Sequence, residues 1–215
     1  MSARRRIAVF VDGFNLYHAI DKLHRPHLKW MDLRRLMTNF TDPAVHDLVR
    51  VYYFSAFATW LPVAHARHEQ YVAALEQSGA TPVLGQFKEK DRGCRTCGAA
   101  WVGHEEKETD VNIALYLLRD AFQNVYDEAF VVSRDSDLTP AIRMVLEHFP
   151  QKSIKVIAPP NLRHSKEMGK LVGKKKLAAI KPIHLERALL PAVIVDEASG
   201  RVLARRPDRS APPSQ

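Results

Sequence analysis

The distribution of apolar positions divides this chain into short strand-like runs separated by segments with helical periodicity. Five runs rich in apolar, β-branched or aromatic residues predict strands over residues 7–11, 49–57, 81–87, 129–133 and 153–158. Apolar residues three and four positions apart predict helices over residues 30–40, 62–79, 109–125 and 139–149. Strands that alternate with helices indicate an α/β fold, a three-layer α/β/α arrangement with a central, mostly parallel sheet.

The predicted helix over residues 109–125 positions one candidate functional residue. Thr109 is its expected N-cap, and Asp110 falls in its first turn. The side chains expected to face the core are Val111, Ala114, Leu115, Leu118, Ala121, Phe122 and Val125. A helix buried along that face would hold Asp110 near the rim of the sheet.

Length and composition suit one medium-sized domain with a short appendage. The 215 residues are 46% hydrophobic, which is enough to build a core. We place the domain at residues 1–185 and a C-terminal extension at 186–215, whose Pro-, Ser- and Arg-rich end from residue 205 is expected to be disordered. The sequence lacks a transmembrane-length apolar run, a secretory leader and the cysteines of a disulfide scaffold, so we expect a cytoplasmic protein.

Carboxylates follow the ends of two predicted strands. Asp12 ends the first strand and precedes Asn15, whereas Asp135 and Asp137 follow the fourth. Ligands of open α/β sheets bind at the carboxyl ends of the strands, and parallel topology can bring these residues and Asp110 to one rim. Carboxylate ligands favour Mg²⁺ or Mn²⁺ over zinc. Asp and Ser also start turns and cap helices, so a purely structural role for residues 135–137 stays open.

Three ordered motifs in the chain resemble those of NYN domains, which belong to the PIN-like nuclease superfamily. The motifs are Val11-Asp12-Gly13-Phe14-Asn15, Lys107-Glu108-Thr109-Asp110-Val111 and Ser133-Arg134-Asp135-Ser136-Asp137. The resemblance covers residues 4–182 and is greatest to the bacterial LabA-like branch. It implies a PIN-like fold and a metal-dependent ribonuclease that cleaves phosphodiester bonds in RNA.

The resemblance also implies roles for individual residues. Asp12, Asp110 and Asp135 would be the core ligands of Mg²⁺ or Mn²⁺, with Asp137 as a fourth ligand, directly or through water. Asn15 would orient a carboxylate or the scissile phosphate, which completes the predicted catalytic set. The hydroxyl groups that would shape the site belong to Ser133 and Thr139.

A charged segment rich in Gly and Cys, residues 88–104, is predicted to be an insertion in the domain. Its Cys94 and Cys97 form a CxxC pair, which is half of the ligand set of a structural zinc site, and His104 is the candidate third ligand. A zinc knuckle, a reducible thiol pair and a simple turn all stay open. A comparable loop in some NYN relatives implies a role in gating or binding substrate.

The chain carries a formal net charge of +8, and many of its basic residues lie in one stretch towards the C-terminal end. The candidates for contact with nucleic-acid phosphates are Arg163, Lys166, Lys170, Lys174, Lys175 and Lys176. We expect this basic strip to lie beside the acidic centre, as a nuclease requires. A solvated helical face is the alternative. RNA is the expected partner, and a homodimer is the candidate assembly.

Two other functions stay open. An RNA-binding regulatory module with little catalysis would use the same rim as a pocket for a metal and a nucleotide. The family resemblance also includes hydroxylases of a succinoylpyridine, which we rank third because the chain lacks the glycine-rich fingerprint that would hold a flavin or NADH. Apart from these motifs, His65 and His68 lie three residues apart on a predicted helix, and we expect both on the surface.

Overall fold

Strands and helices alternate along the chain in the computed structural model, which describes residues 3–196 and 199–207. The strands are β1 Arg5–Asp12, β2 His46–Ser55, β3 Thr81–Leu84, β4 Gln86–Gly93, β5 Ala100–Lys107, β6 Glu128–Val132, β7 Ser153–Ala158, β8 Leu177–Ala179, β9 Val193–Val195 and β10 Val202–Arg205. The helices are α1 Gly13–Asp21, α2 Leu33–Met37, α3 Pro62–Gln77, α4 Thr109–Phe122, α5 Thr139–His148, α6 Lys166–Val172 and α7 Pro182–Glu186. Short 3₁₀ turns occupy Pro26–Lys29, Thr38–Phe40, Ser136–Leu138 and Lys174–Lys176.

A six-stranded sheet in the order β3-β2-β1-β6-β7-β8 forms the centre of the fold, and all of its pairings are parallel. Strand β1 lies in the middle, with Val11 opposite Tyr53 of β2 and Val132 of β6. The chain order jumps from β1 to β6 at this point, so the crevice at the carboxyl ends of these two strands is where a ligand is expected.

Helices cover both faces of the sheet, because successive residues of each buried strand point to opposite sides. Ile7, Val9 and Val11 of β1 pack in one core with α1, α2, α3 and α7. Ala8 and Phe10 pack in a second core with α4, α5 and α6. The three-layer α/β/α fold with a mostly parallel sheet is therefore confirmed.

Helix α4 is rotated relative to the orientation predicted from its sequence. Ile113, Leu117 and Ala121 face the core, whereas Val111 and Phe122, which were expected inside, are 60% and 75% exposed. The predicted N-cap was also wrong. Glu108, in the left-handed conformation with φ of 79°, holds the cap position, and Thr109 is the first helical residue.

The segment predicted as an insertion is an antiparallel β-hairpin made by β4 and β5, with Gln86 opposite Lys107 and Gly93 opposite Ala100. The single strand predicted over residues 81–87 is therefore two strands, one in each sheet. The hairpin is anchored to the loop after β2, where the ring of Trp60 stacks on His104 with centroids 3.6 Å apart.

The C-terminal segment joins the same core as the domain. Strands β9 and β10 pair antiparallel, and their Ile194 and Ala204 are buried together with residues of α2 and α3. The Trp30 indole N–H donates to the carbonyl of Pro191 over 2.7 Å. The predicted extension thus contains a packed hairpin. Arg205, where the disordered end was expected to begin, is the last residue of β10, and residues 208–215 of that end lie outside the described residues.

The helix predicted over residues 30–40 is interrupted. Only Leu33–Met37 is α-helical, and Asp32 caps it by accepting from the backbone N–H of Arg35. No helix in the described ranges is long and apolar enough to cross a membrane.

Candidate active site

Asp12 lies at the point where β1 ends and α1 begins. The residue is 3% exposed, and its two carboxylate oxygens have separate partners. Oδ1 accepts from the backbone N–H of Asn15 over 2.9 Å, which caps α1, and Oδ2 accepts from the Ser133 hydroxyl over 2.8 Å. Burial raises the pKa of Asp12, and these two hydrogen bonds offset part of that rise.

Gly13 allows α1 to start directly against β2. A Cβ atom at this position would lie 2.5 Å from the carbonyl oxygen of Phe54 and 2.7 Å from the ring of Tyr53. Any larger residue would push the first turn of α1 away from the sheet, together with Asp12 and Asn15.

Asp135 and Asp137 follow β6 and are tied to Asp12 through Ser133. The Ser133 hydroxyl oxygen accepts from the backbone N–H of Asp135 over 3.0 Å while it donates to Asp12. Oδ1 of Asp135 accepts from the backbone N–H of Asp137 over 3.0 Å. One serine therefore couples the ends of β1 and β6, and Asp137 lies exposed at the outer end of this chain of contacts.

Asp110 brings a further carboxylate from the opposite direction, in the first turn of α4. Burial raises the pKa of Asp110 to about 6, and repulsion from Asp12, Asp135, Glu106 and Asp137 adds to the rise. Carboxylates from three separated segments thus lie near enough to repel one another at the carboxyl end of the central strands. Glu106 has a second role there, because its Oε1 accepts from the backbone N–H of Thr109 over 2.9 Å.

The chemistry of this donor set fits a hard divalent cation, which prefers carboxylate oxygens and would offset the repulsion around Asp110. Nearby in sequence, the Thr139 hydroxyl is buried without a hydrogen-bond partner in the described part of the chain, a rare state for a polar atom. Within residues 3–196 and 199–207, no three His, Cys, Asp or Glu side chains are placed closely enough to hold a metal ion. Binding therefore requires the carboxylates to turn towards one another.

A cavity of about 400 Å³ lies beside Asp135, and its lining includes the basic side chains of His18, Lys22 and Arg134. Its polar lining comes from Asn15, His18, Lys22, Arg134, Asp135 and Ser136. Asn15, His18 and Lys22 recur at intervals of three and four along α1, so they share one face of the helix. That spacing is the sequence signal for His18 and Lys22, which lie outside the three motifs.

The sequence profile of the NYN domain family matches residues 6–167. The chain belongs to the NYN domain family. Two relatives of this NYN domain are LabA, the low amplitude and bright protein of Synechococcus elongatus, and the 6-hydroxy-3-succinoylpyridine 3-monooxygenase HspA of Pseudomonas putida. LabA is 25% identical over 142 residues, which cover 65% of this chain and 67% of LabA. The LabA match places the domain in the LabA-like branch.

HspA is 25% identical over 178 residues, which cover 66% of this chain but only 56% of HspA. The chain thus spans little more than half the length of that relative. The fold also matches the crystal structure of a protein of unknown function from Vibrio parahaemolyticus. That match has a TM-score of 0.60 at 20% identity and covers 88% of this chain and 100% of the Vibrio chain.

Only part of the predicted basic strip of this NYN domain lies near the carboxylates. Lys176 donates to Glu128 over 2.6 Å and to the Ser153 hydroxyl over 3.1 Å, at the starts of β6 and β7. The carboxylates lie at the carboxyl ends of the parallel strands, about 17 Å away along a strand of six residues. The expected adjacency was therefore wrong for Lys174–Lys176, and Lys176 has a structural partner.

The first residues of the strip lie closer to the site. Arg163 follows the end of β7, and Lys166 begins α6, which then leads towards the opposite edge through Lys170. Leu162, one residue before Arg163, lines the basic cavity beside Asp135. Arg163 and Lys166 are thus the members of the strip placed to extend that cavity.

The predicted zinc ligands are separated by the hairpin. Cys94 and Cys97 lie in the turn at its tip, where backbone N–H groups of residues 96 and 97 lower the pKa of Cys94 to about 7. His104 pairs with Glu89, four residue pairs from the end of the ladder, or about 14 Å along the strands. The three residues do not form a common metal site in this arrangement.

Proposed function

We propose that this NYN domain is a metal-dependent ribonuclease that hydrolyses phosphodiester bonds at the edge formed by β1, β6 and α4. The observation that carries the proposal is the proximity of Asp12 and Asp135 to Asp110, since their repulsion contributes to a pKa of about 6 for Asp110. Carboxylates that repel one another destabilise the metal-free protein, and such groups with perturbed pKa values cluster at functional sites. Membership of the NYN family supports the same activity.

Each residue at this edge has a definable task. Asp12, Asp110 and Asp135 would hold Mg²⁺ or Mn²⁺, with Asp137 as a further ligand, and the bound cation would polarise the phosphate and lower the pKa of a water molecule. Ser133 links the Asp12 carboxylate to the backbone of Asp135 through its two hydrogen bonds. Asn15 lines the basic cavity and would orient the phosphate.

Cleavage of an end-labelled single-stranded RNA tests this proposal. We expect products with Mn²⁺ or Mg²⁺ and none with EDTA, because the carboxylates alone repel a phosphate. Equal cleavage in EDTA would contradict the metal-dependent mechanism. Tight RNA binding without cleavage under every condition would instead support the regulatory RNA-binding module.

The basic cavity makes a separate prediction about RNA affinity. Lys22→Ala combined with Arg134→Ala should weaken binding of unrelated single-stranded RNAs, because both side chains line the cavity beside Asp135. The slope of log affinity against log salt should become shallower by about 0.7 for each phosphate that the variant no longer neutralises. Binding measured by fluorescence anisotropy over a range of salt concentrations would give both values.

The matched control is Lys174→Ala combined with Lys175→Ala. It removes the same charge from exposed positions at the opposite edge of the sheet. We expect its affinity and salt slope to stay near those of the unmodified protein. If the control loses as much affinity as the cavity variant, RNA follows the basic strip instead of the cavity.

A second candidate function is oxygenation of a small aromatic acid, which the relationship to HspA favours. A monooxygenase needs a reduced cofactor, so visible absorbance from a bound flavin or RNA-independent consumption of NADH would support it. Purified protein without either property would remove this candidate.

A further inference from the structure

A second, larger cavity lies beside the carboxylates on the face of the sheet that carries α1 and α3. Its volume is about 690 Å³, which is within the range of small-molecule sites. Its principal rings belong to Phe14, Tyr17, Tyr53, His68, Tyr71 and Phe87. These rings come from α1, β2, α3 and the β4–β5 hairpin, so the cavity exists only in the folded domain.

This aromatic cavity adjoins the candidate active site. Gly13 and Phe14, which follow Asp12 directly, line it, and so does Glu106, one of the carboxylates that repel Asp110. Phe14 and His18 also line the basic cavity on the other side of α1. A molecule that reaches both cavities would pass across the face of α1 that carries Phe14 and His18, close to Asp12 in sequence.

The lining suits a flat ring with polar edges, because it combines aromatic side chains with polar groups such as Arg67 and Glu106. Phe14 and Phe87 meet edge to face with centroids 5.6 Å apart, which places ring surface on the side of the hairpin. On the side of α3, the Tyr53 hydroxyl lies 3.1 Å from Nε2 of His68. Burial lowers the pKa of His68 to about 4, so this histidine is neutral at physiological pH and can donate or accept one hydrogen bond. The expected surface position was thus wrong for His68.

We propose that the aromatic cavity binds one unpaired base of the RNA strand, next to the phosphate held at the carboxylates. The proposal rests on the proposed function, because it requires an RNA strand bound close to Asp12. Bases that stack on aromatic side chains are the usual means of recognising single-stranded RNA. A paired base cannot leave its helix without losing its partner, so the cavity selects single-stranded segments.

Ala64 provides a way to fill this cavity without disturbing the core. The residue lines the cavity from α3 and is itself exposed. Ala66 is exposed on the same helix and is not part of the lining, so Ala66→Trp is a matched control for Ala64→Trp. Both substitutions are made together with Asp135→Asn, which keeps the RNA intact during the measurement.

The test compares RNA strands with and without one base. We expect Ala64→Trp to weaken binding of a single-stranded RNA roughly tenfold, within the range measured for loss of one stacked base. A strand with an abasic position at the bound nucleotide, found by moving that position along the RNA, should bind the Ala64→Trp and Ala66→Trp proteins equally. A fluorescent adenine analogue at that position should be quenched by the control and not by Ala64→Trp.

Three results would overturn the proposal. Equal binding of the intact strand by both variants would do so, as would equal quenching. The third is loss of binding of a free aromatic acid such as nicotinate in Ala64→Trp, with RNA binding unchanged. That result would assign the cavity to a small molecule. These measurements report RNA binding, so they can support the base site even if the protein does not cleave RNA. If the unmodified protein cleaves RNA but Ala64→Trp does not change RNA binding, the base site is contradicted while the proposed ribonuclease stands.

Discussion

Asp135→Asn should lower the rate of RNA cleavage roughly a hundredfold or more, because the loss of one anionic ligand removes several kcal/mol of charge stabilisation from the metal-bound reaction. The fold should survive this change. The Asn amide oxygen can still accept from the backbone N–H of Asp137, as Oδ1 of Asp135 does over 3.0 Å. RNA binding should also survive, since Lys22 and Arg134 are untouched.

Single-turnover cleavage at saturating RNA, with a thermal melt of the same preparation, measures both effects. Asp47→Asn is the matched control, because it makes the same chemical change at an exposed position near the start of β2, at the opposite edge of the sheet. We expect this control to cleave at the unmodified rate. An Asp135→Asn protein that cleaves as fast as the control would exclude Asp135 from catalysis.

Asp12→Asn would be a less informative substitution. Oδ2 of Asp12 accepts from the Ser133 hydroxyl, and an amide nitrogen in its place would present a donor to that donor. Ser133 would then have to turn, which would release the backbone N–H of Asp135. A loss of activity in Asp12→Asn would therefore mix the removal of a ligand with movement of its neighbour.

The sequence predicted the elements that position the carboxylates because the central strands are buried on both faces. Such strands read as continuous apolar runs, and the strand predicted over residues 153–158 matches β7 at both ends. The abrupt change from apolar to acidic residues after β1 and β6 then marked the edge of the sheet. The sequence pattern was sufficient to predict these strands and their acidic ends, because the apolar run and the carboxylate that follows it are contiguous in the chain.

The orientation of α4 could not be read in the same way. The helix carries two apolar stripes, one with Ile113 and Leu117 and another with Val111 and Leu115, and both recur every four residues. Only contact with the sheet decides between them, and it buries the first stripe and leaves Leu115 57% exposed. Periodicity gives the existence of an amphipathic helix more reliably than its rotation.

Long-range placement explains the remaining differences. Lys174–Lys176 follow Arg163 closely in sequence, but α6 leads the chain from one edge of the sheet to the other. The hairpin strands β4 and β5 are largely exposed and rich in charge, so they lack the apolar alternation of a strand with one buried face. The aromatic cavity draws its rings from four elements, and no single stretch of sequence contains its pattern.

Melting temperature should depend on the divalent cation, and Asp110 should control much of that dependence. In the metal-free protein, burial and neighbouring carboxylates raise the pKa of Asp110 to about 6. An unfolded Asp has a pKa of about 3.9, so the folded state binds this proton more tightly. The associated stability is fully present below about pH 4 and is lost as the pH rises through about 6.

Asp110→Asn removes this cost, because the amide stays uncharged at every pH. At about pH 7.5 we expect the metal-free variant to be more stable than the unmodified protein by about 1 kcal/mol, or roughly 2–4 °C, after allowance for the partial exposure of Asp110 to water. Near pH 4 the two proteins should melt together. A difference that is the same at both pH values would show that the charge of Asp110 is not its source.

Addition of Mn²⁺ should reverse the order of stability at neutral pH. A cation that binds only the folded state contributes about 2.7 kcal/mol at a hundredfold excess over its dissociation constant, which corresponds to a rise of roughly 5–10 °C for a chain of this size. The rise should be much smaller in Asp110→Asn, which has lost a ligand, and should be unchanged in Asp47→Asn. Thermal melts of the three proteins in EDTA and in Mn²⁺ decide the matter. Identical melts of the unmodified protein in both conditions would contradict cation binding at Asp12, Asp110 and Asp135, and the proposed ribonuclease would lose its chemical basis.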